Sequence, residues 1–200
     1  MAQTALKGNP VNTSGDLPAV GAEAVDFSLT GRDLSDINLN DYAGKKVVLN
    51  IFPSIDTPVC ALSVRKFNAE FTKFDNTAVI CVSRDLPFAH ERFCGAEGIE
   101  NVVSASVLKD LSFGEKYGVT LVDGPLEGLL ARAVVVIDEN KKVIHSQLAP
   151  EISEEPDYES AFAALGASGD DLDVCVTSAT AEHSRADDFG EPCDDGRGGS

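Results

Sequence analysis

The stretch that most constrains this chain runs from Val47 to Cys60. Val47-Val48-Leu49-Asn50-Ile51-Phe52 is apolar except for Asn50 and reads as a buried strand. Pro53-Ser54-Ile55-Asp56 then leads into Thr57-Pro58, a helix-start signal: a hydroxyl at the N-cap, and a proline at N1 where its missing N–H costs nothing. In that register Cys60 is N3. Unpaired backbone N–H groups and the positive end of the helix dipole favour an anion there, and a thiolate is the anion a cysteine can supply.

Magnitudes limit what the helix start can do alone. Bringing an ordinary thiol from about 8.5 to about 6 takes roughly 3.4 kcal/mol of preferential stabilisation. One helix terminus contributes about 0.3–1 kcal/mol, and about 2 in partly buried sites. A reactive Cys60 therefore needs a nearby cation, and Asp56 opposes it unless its carboxylate turns to solvent. Arg65 points off the Cys60 face and reads as a solvated or structural charge. Arg132 precedes the apolar run Ala133-Val134-Val135-Val136-Ile137, and an arginine at the end of a buried strand needs a partner. Its residue pattern fits a structural ion pair as well as an activating cation.

Beyond Thr57, Cys60, Val64, Phe67, Phe71 and Phe74 recur at helical spacing, which turns Cys60 inward toward the base of a pocket. Residues 77–83 and 102–107 read as further strands, and 87–94 as a short helix stopped by Gly95. Residues 111–117 form a helix closed by Gly118, and 129–137 with 142–148 form a hairpin around Asp138-Glu139-Asn140-Lys141. Glu155-Pro156 opens a last helix through Leu165. Upstream, 25–29 and 37–39 alternate with period two as short strands, and Lys7-Gly8-Asn9-Pro10 sits at the turn of a small N-terminal hairpin. Strands and helices alternate in the middle, which predicts an α/β fold, a mixed sheet with helices on both faces.

After Gly166 this pattern dissolves into Ala, Ser, Gly and Asp. Residues 167–200 hold nine acids against two arginines, a balance of −7, and are expected to be a disordered acidic tail behind a single domain at 1–166. The whole chain carries −17, which excludes nucleic acid and anionic membrane as partners that demand basic surface. No apolar run reaches the roughly 18–20 residues that span a bilayer, and the N-terminus lacks a secretory pattern, so a cytoplasmic location is expected. The five cysteines, at 60, 81, 94, 175 and 193, form no CxxC pair. In a reducing compartment such thiols point to redox chemistry before structural disulfides. Cys81, between Ile80 and Val82, is a core residue, and Cys175 and Cys193 are bystanders in the tail. Cys94, near a helix C-terminus, reads alone as structural. His90, His145 and His183 have no zinc-like spacing, and no metal or organic cofactor is implied.

Pro53-x-x-x-Thr57-x-x-Cys60 has the form of the PxxxTxxC active-site motif of the peroxiredoxins. The run from Ser54 to Asn68 closely resembles the bacterial thiol peroxidases, the atypical 2-Cys subgroup, and the likeness continues through Arg92-Phe93-Cys94-Gly95-Ala96-Glu97-Gly98, Gly128-Leu129-Leu130-Ala131-Arg132-Ala133 and Glu154-Glu155-Pro156-Asp157-Tyr158-Glu159. It covers residues 1–165 almost without interruption.

The resemblance implies a thioredoxin-like fold with an N-terminal hairpin, usually a homodimer, that reduces hydrogen peroxide and organic hydroperoxides. Cys60 would be the peroxidatic cysteine and Cys94 the resolving one, closing an intramolecular disulfide that thioredoxin reduces. Arg132 would stabilise thiolate and peroxide, the Thr57 hydroxyl would hydrogen-bond both, and Pro53 would shield the sulfenic acid. A disulfide needs Cα atoms about 4.4–6.8 Å apart, and local opening around Cys60 and Cys94 is expected to achieve it. Two other classes compete: a thioredoxin-type disulfide oxidoreductase, which the missing CxxC disfavours, and a redox sensor or holdase using the same cysteines.

Overall fold

The computed structural model describes residues 1–166, apart from the Phe71 side chain. The tail expected to be disordered, with Cys175, Cys193 and His183, lies outside the described residues. The chain opens with the expected hairpin, β1 (Gln3–Leu6) and β2 (Asn9–Asn12). Its two-residue turn puts Lys7 at φ 52° and Gly8 at φ 79°, the positive pair that a tight hairpin requires.

Seven strands follow: β3 (Ser28–Gly31), β4 (Asp36–Asn38), β5 (Lys46–Ile51), β6 (Thr77–Ser83), β7 (Val103–Ser106), β8 (Ala133–Ile137) and β9 (Val143–Leu148). The helices are α1 (Pro58–Glu70), α2 (Pro87–Glu97), α3 (Ser112–Lys116) and α4 (Tyr158–Ala164). The strands form one mixed sheet in the order β4-β3-β7-β6-β5-β8-β9. The central trio β5, β6 and β7 is parallel, and the remaining pairings are antiparallel.

Period-two alternation splits the core into two layers. In β5, Val47, Leu49 and Ile51 face one layer with Phe113 and Tyr117 around α3. Val48, followed by Phe52, faces the other, with Cys60, Val64 and Phe67 of α1, Phe93 and Cys94 of α2, and Tyr158 of α4. Helices therefore cover both faces, as the alternation of elements predicts.

Several boundaries differ from expectation, among them that of the strand expected from 129, which begins as β8 at Ala133. Helix α2 does not stop at Gly95; it runs to Glu97, and the left-handed residue that closes it is Gly98 at φ 64°. The last helix begins at Tyr158, not Glu155, because the Asp157 side chain accepts the Ser160 N–H at 3.1 Å and fixes the cap there. The strand expected at 25–29 begins instead at Ser28, where pairing with β4 and β7 starts.

Candidate active site

Cys60 lies in the first turn of α1, which leaves the C-terminal end of the central strand β5. Proline at N1 and the Ala61 N–H bond to the Thr57 carbonyl, 3.0 Å, start the helix at the expected register. Ligand sites of open α/β sheets occupy this position, beyond the carboxyl ends of the strands. The sulfur is fully buried, and Cys60, Cys81 and Cys94 are free thiols.

Arg132 reaches that sulfur. It immediately precedes β8, is 2% exposed, and donates from Nη2 to Cys60 Sγ at 3.3 Å. Its Nε donates to the Ile152 carbonyl at 2.9 Å. Its Nη1 is buried without a hydrogen-bond partner among the described residues. Of the alternatives open for Arg132, the structure shows contact with sulfur. A guanidinium N–H on a sulfur is a charge-assisted contact, and the planar fork keeps its remaining donors beside it.

The other expected site residues are distributed around this pair. Pro53 is buried between Phe52 and the loop. Thr57 is exposed, and its hydroxyl donates to the Ser54 carbonyl at 2.9 Å, so a bond from Thr57 to sulfur or peroxide requires the hydroxyl to rotate. Asp56 turns to solvent and pairs with Arg92. Arg65 makes a two-pronged ion pair with Glu97, 2.8 and 2.9 Å, and lies over the Phe93 ring, which agrees with a structural charge. Cys94 is buried in α2 with its sulfur 3.2 Å from Ser104 Oγ on β7. Cys81 is a core residue, its thiol pushed up to about 12 by burial, against which the Asn50 side chain pulls only weakly.

Four residues around the site escape a reading by motif. Asn50 donates to Ser63 Oγ at 3.2 Å, and Ser63 donates to the Cys60 carbonyl at 2.9 Å, which ties the first turn of α1 to β5. A fully buried asparagine inside an apolar strand was the available signal. Asp85 organises the loop itself, accepting from Ser54 Oγ at 2.8 Å, the Ile55 N–H at 2.7 Å and Ser83 Oγ at 2.7 Å. His90 of α2 joins through Ser83 Oγ at 2.9 Å. Nothing in the local sequence marks Asp85 or the Ile152 carbonyl.

A cleft of about 390 Å³ opens over the loop, lined by Ile55, Thr57, Pro58, Ala61 and Phe93 with Asp56 and Arg65 at hand; Cys60 lies beneath this lining and does not form it. A larger cleft, about 680 Å³, lies between the β3–β4 hairpin and α2 and does not include Cys60. Among the described residues no group of three or more His, Cys, Asp or Glu side chains is placed to hold a metal, and no helix is long and apolar enough to cross a membrane.

A mixed sheet with a buried cysteine in the first turn of the helix after its central strand, and an arginine on its sulfur, defines a thioredoxin-like enzyme built for thiol chemistry. The comparisons with known proteins make this specific. Residues 19–162 match the Redoxin family model, and the chain belongs to that family as a peroxidase of the peroxiredoxin type. It is 59% identical over 167 residues to the thiol peroxidases of Mycobacterium bovis and Mycobacterium tuberculosis, covering 84% of this chain and 100% of each relative. A peroxiredoxin-like protein from Aquifex aeolicus superposes with a TM-score of 0.79 at 39% identity, over 83% of this chain and 96% of that one. The thiol peroxidase of Chromobacterium violaceum, TM-score 0.75 at 20% identity, shares the fold. The thioredoxin-like fold with an added N-terminal hairpin, expected from the sequence, is the fold found.

Proposed function

We propose that residues 1–166 form the peroxidase domain, and that it reduces hydrogen peroxide and organic hydroperoxides with Cys60 as the attacking thiol and Cys94 as its resolving partner. The Cys60 thiolate attacks the terminal peroxide oxygen. The S–O bond forms as the O–O bond breaks, and the departing oxygen takes a proton and leaves as water or alcohol. Cys94 then attacks the sulfenic sulfur, gives up its proton, and expels hydroxide as water. Thioredoxin supplies two electrons to reopen the disulfide.

The observation that carries this reading is the Arg132 fork. One nitrogen, Nη2, lies on Cys60 Sγ, while Nη1 is buried and unpartnered, a donor left over for an oxygen arriving at the sulfur. Thr57, once its hydroxyl rotates from the Ser54 carbonyl, adds a second donor at the helix start, and Pro53 seals the loop behind the sulfur. The apolar floor of the cleft, Ile55, Ala61 and Phe93, suits an alkyl group on the peroxide.

Resolution requires movement. Cys94 is anchored to Ser104 on β7, whereas Cys60 is anchored to Arg132 at the start of β8, with β6 and β5 between them. At ~4.8 Å per strand the two anchoring strands are ~14 Å apart. On this reading the first turn of α1 and the end of α2 leave their packed positions before the sulfurs meet. Free thiols at three buried cysteines fit a reducing compartment such as the cytoplasm, and the resemblance implies a homodimer.

The test is hydroperoxide consumption coupled to NADPH oxidation through thioredoxin and its reductase, in wild type, Cys60→Ser and Cys94→Ser. Wild type should turn over, Cys60→Ser should consume no peroxide, and Cys94→Ser should stall after one equivalent. Absence of turnover in wild type would refute the peroxidase cycle and leave a sensor or holdase. Full turnover in Cys94→Ser would remove its resolving role.

A further inference from the structure

We propose that the N-terminal hairpin holds the arginine of the active site in place, with Glu151 as a positioning residue. The inference rests on the role proposed above for Arg132. Among the described residues that side chain makes two hydrogen bonds, to Cys60 Sγ and the Ile152 carbonyl, so the Ile152 carbonyl sets where the guanidinium points. Ile152 belongs to residues 149–153, which follow β9 and carry neither helix nor strand.

The shape of that segment comes from the hairpin. The Ile152 N–H donates to the Ala5 carbonyl at 2.8 Å, and the Ala5 N–H donates to the Pro150 carbonyl at 3.0 Å. The buried Thr4 hydroxyl donates to the Ala149 carbonyl at 2.7 Å. At the hairpin turn, the N–H groups of Lys7 and Gly8 donate to the two oxygens of Glu151 at 2.9 and 3.0 Å. Ser153 donates to the same carboxylate from its hydroxyl at 2.5 Å and its N–H at 3.0 Å. The Ala149 N–H closes the circuit on the Arg132 carbonyl at 2.9 Å. Arg132 is thus held at its backbone and its side chain by one short segment, and five hydrogen bonds from the hairpin fix that segment. The bonds from Ser153, with those from Gly8 and Lys7, hold the Glu151 carboxyl at about 2, so the charged acceptor persists wherever the enzyme works.

The test is a double-mutant cycle on the full chain in a Cys94→Ser background, following the rate of Cys60 sulfenic acid formation by quenched flow and mass of the dimedone adduct. Glu151→Ala should slow oxidation on the order of tenfold while Arg132 is present, and less than about twofold once Arg132→Lys has removed the fork. An equal slowing in both backgrounds overturns the proposal, since the hairpin would then act by another route. Arg132→Lys without effect on its own would refute the reading of Arg132, and this inference with it. If Glu151→Ala does not fold, Thr4→Val removes one bond of the same set at similar volume and carries the same cycle.

Discussion

Arg132 Nη2 lies 3.3 Å from Cys60 Sγ, across 72 positions of sequence, and both groups are sealed from solvent. Burial matters because a charge pair in a dry site is screened far less than on the surface. A buried guanidinium also needs partners, and this one has the Ile152 carbonyl, the sulfur and one nitrogen to spare. That spare donor gives the site an electrophilic surface before any substrate arrives.

Replacing Arg132 by Met or Lys should slow Cys60 oxidation by about 10²–10³-fold, the usual effect of losing one preorganised donor to developing charge. Lysine should not rescue, because its three donors radiate from one nitrogen and do not reproduce the planar fork that spans the sulfur and the Ile152 carbonyl. Rapid-mixing measurement of the oxidation rate with hydrogen peroxide decides this; a change under tenfold would count against it.

Asp85→Ala strands the Ile55 N–H and the Ser54 hydroxyl, while Ser83 keeps His90 as a partner. Groups left unsatisfied in this way cost about 1–3 kcal/mol, and each kcal/mol lowers Tm by roughly 2–4 °C in a domain of this size. The loop that aims Cys60 should loosen with it, so a lower Tm and slower alkylation of Cys60 are expected together. Unchanged alkylation at a lowered Tm would show that Asp85 supports stability alone.

Arg65–Glu97 ties α2 to α1 and Asp56–Arg92 ties it to the loop before α1, the segments that move apart in the proposed cycle. Exposed ion pairs contribute little to stability, so Glu97→Gln should leave Tm nearly unchanged. It should speed conversion of the sulfenic acid to the disulfide a few-fold, as counted by mass after a single addition of peroxide. A slower conversion would mean that the pair guides the closing motion instead of resisting the opening.

Burial holds His90 below its ordinary value of 6.5, with Asp85 and Asp56 pulling upward and Arg32 downward. The unfolded chain therefore binds this proton at a higher pH than the native protein does. Stability is unaffected above about 6.5 and falls as pH drops from there through the lower native value. Tm measured from pH 7.5 to 5 should decline more steeply in wild type than in His90→Gln. His145, also held down by burial, adds a slope of the same sign to both.

The sequence by itself determined the local half of this site. Apolar alternation in 47–52 set both core layers, Thr57-Pro58 set the helix register, and that register put Cys60 in the first turn facing inward. It also showed by magnitude that a helix start is not enough, and so pointed to a cation. The residue pattern already preferred Arg132 to Arg65; only the tertiary structure put its guanidinium on the sulfur. Antiparallel pairing of β8 with β5 brings Arg132 to Cys60, while Arg65, five positions away in sequence, is spent on Glu97. The roles of Asp85 and the Ile152 carbonyl, and the docking of the expected hairpin on residues 149–153, carry no local signal, because they depend on which backbone groups the fold leaves facing them. Periodicity and capping are short-range and legible in a single chain; a hydrogen bond between segments more than a hundred residues apart exists only once the sheet has assembled.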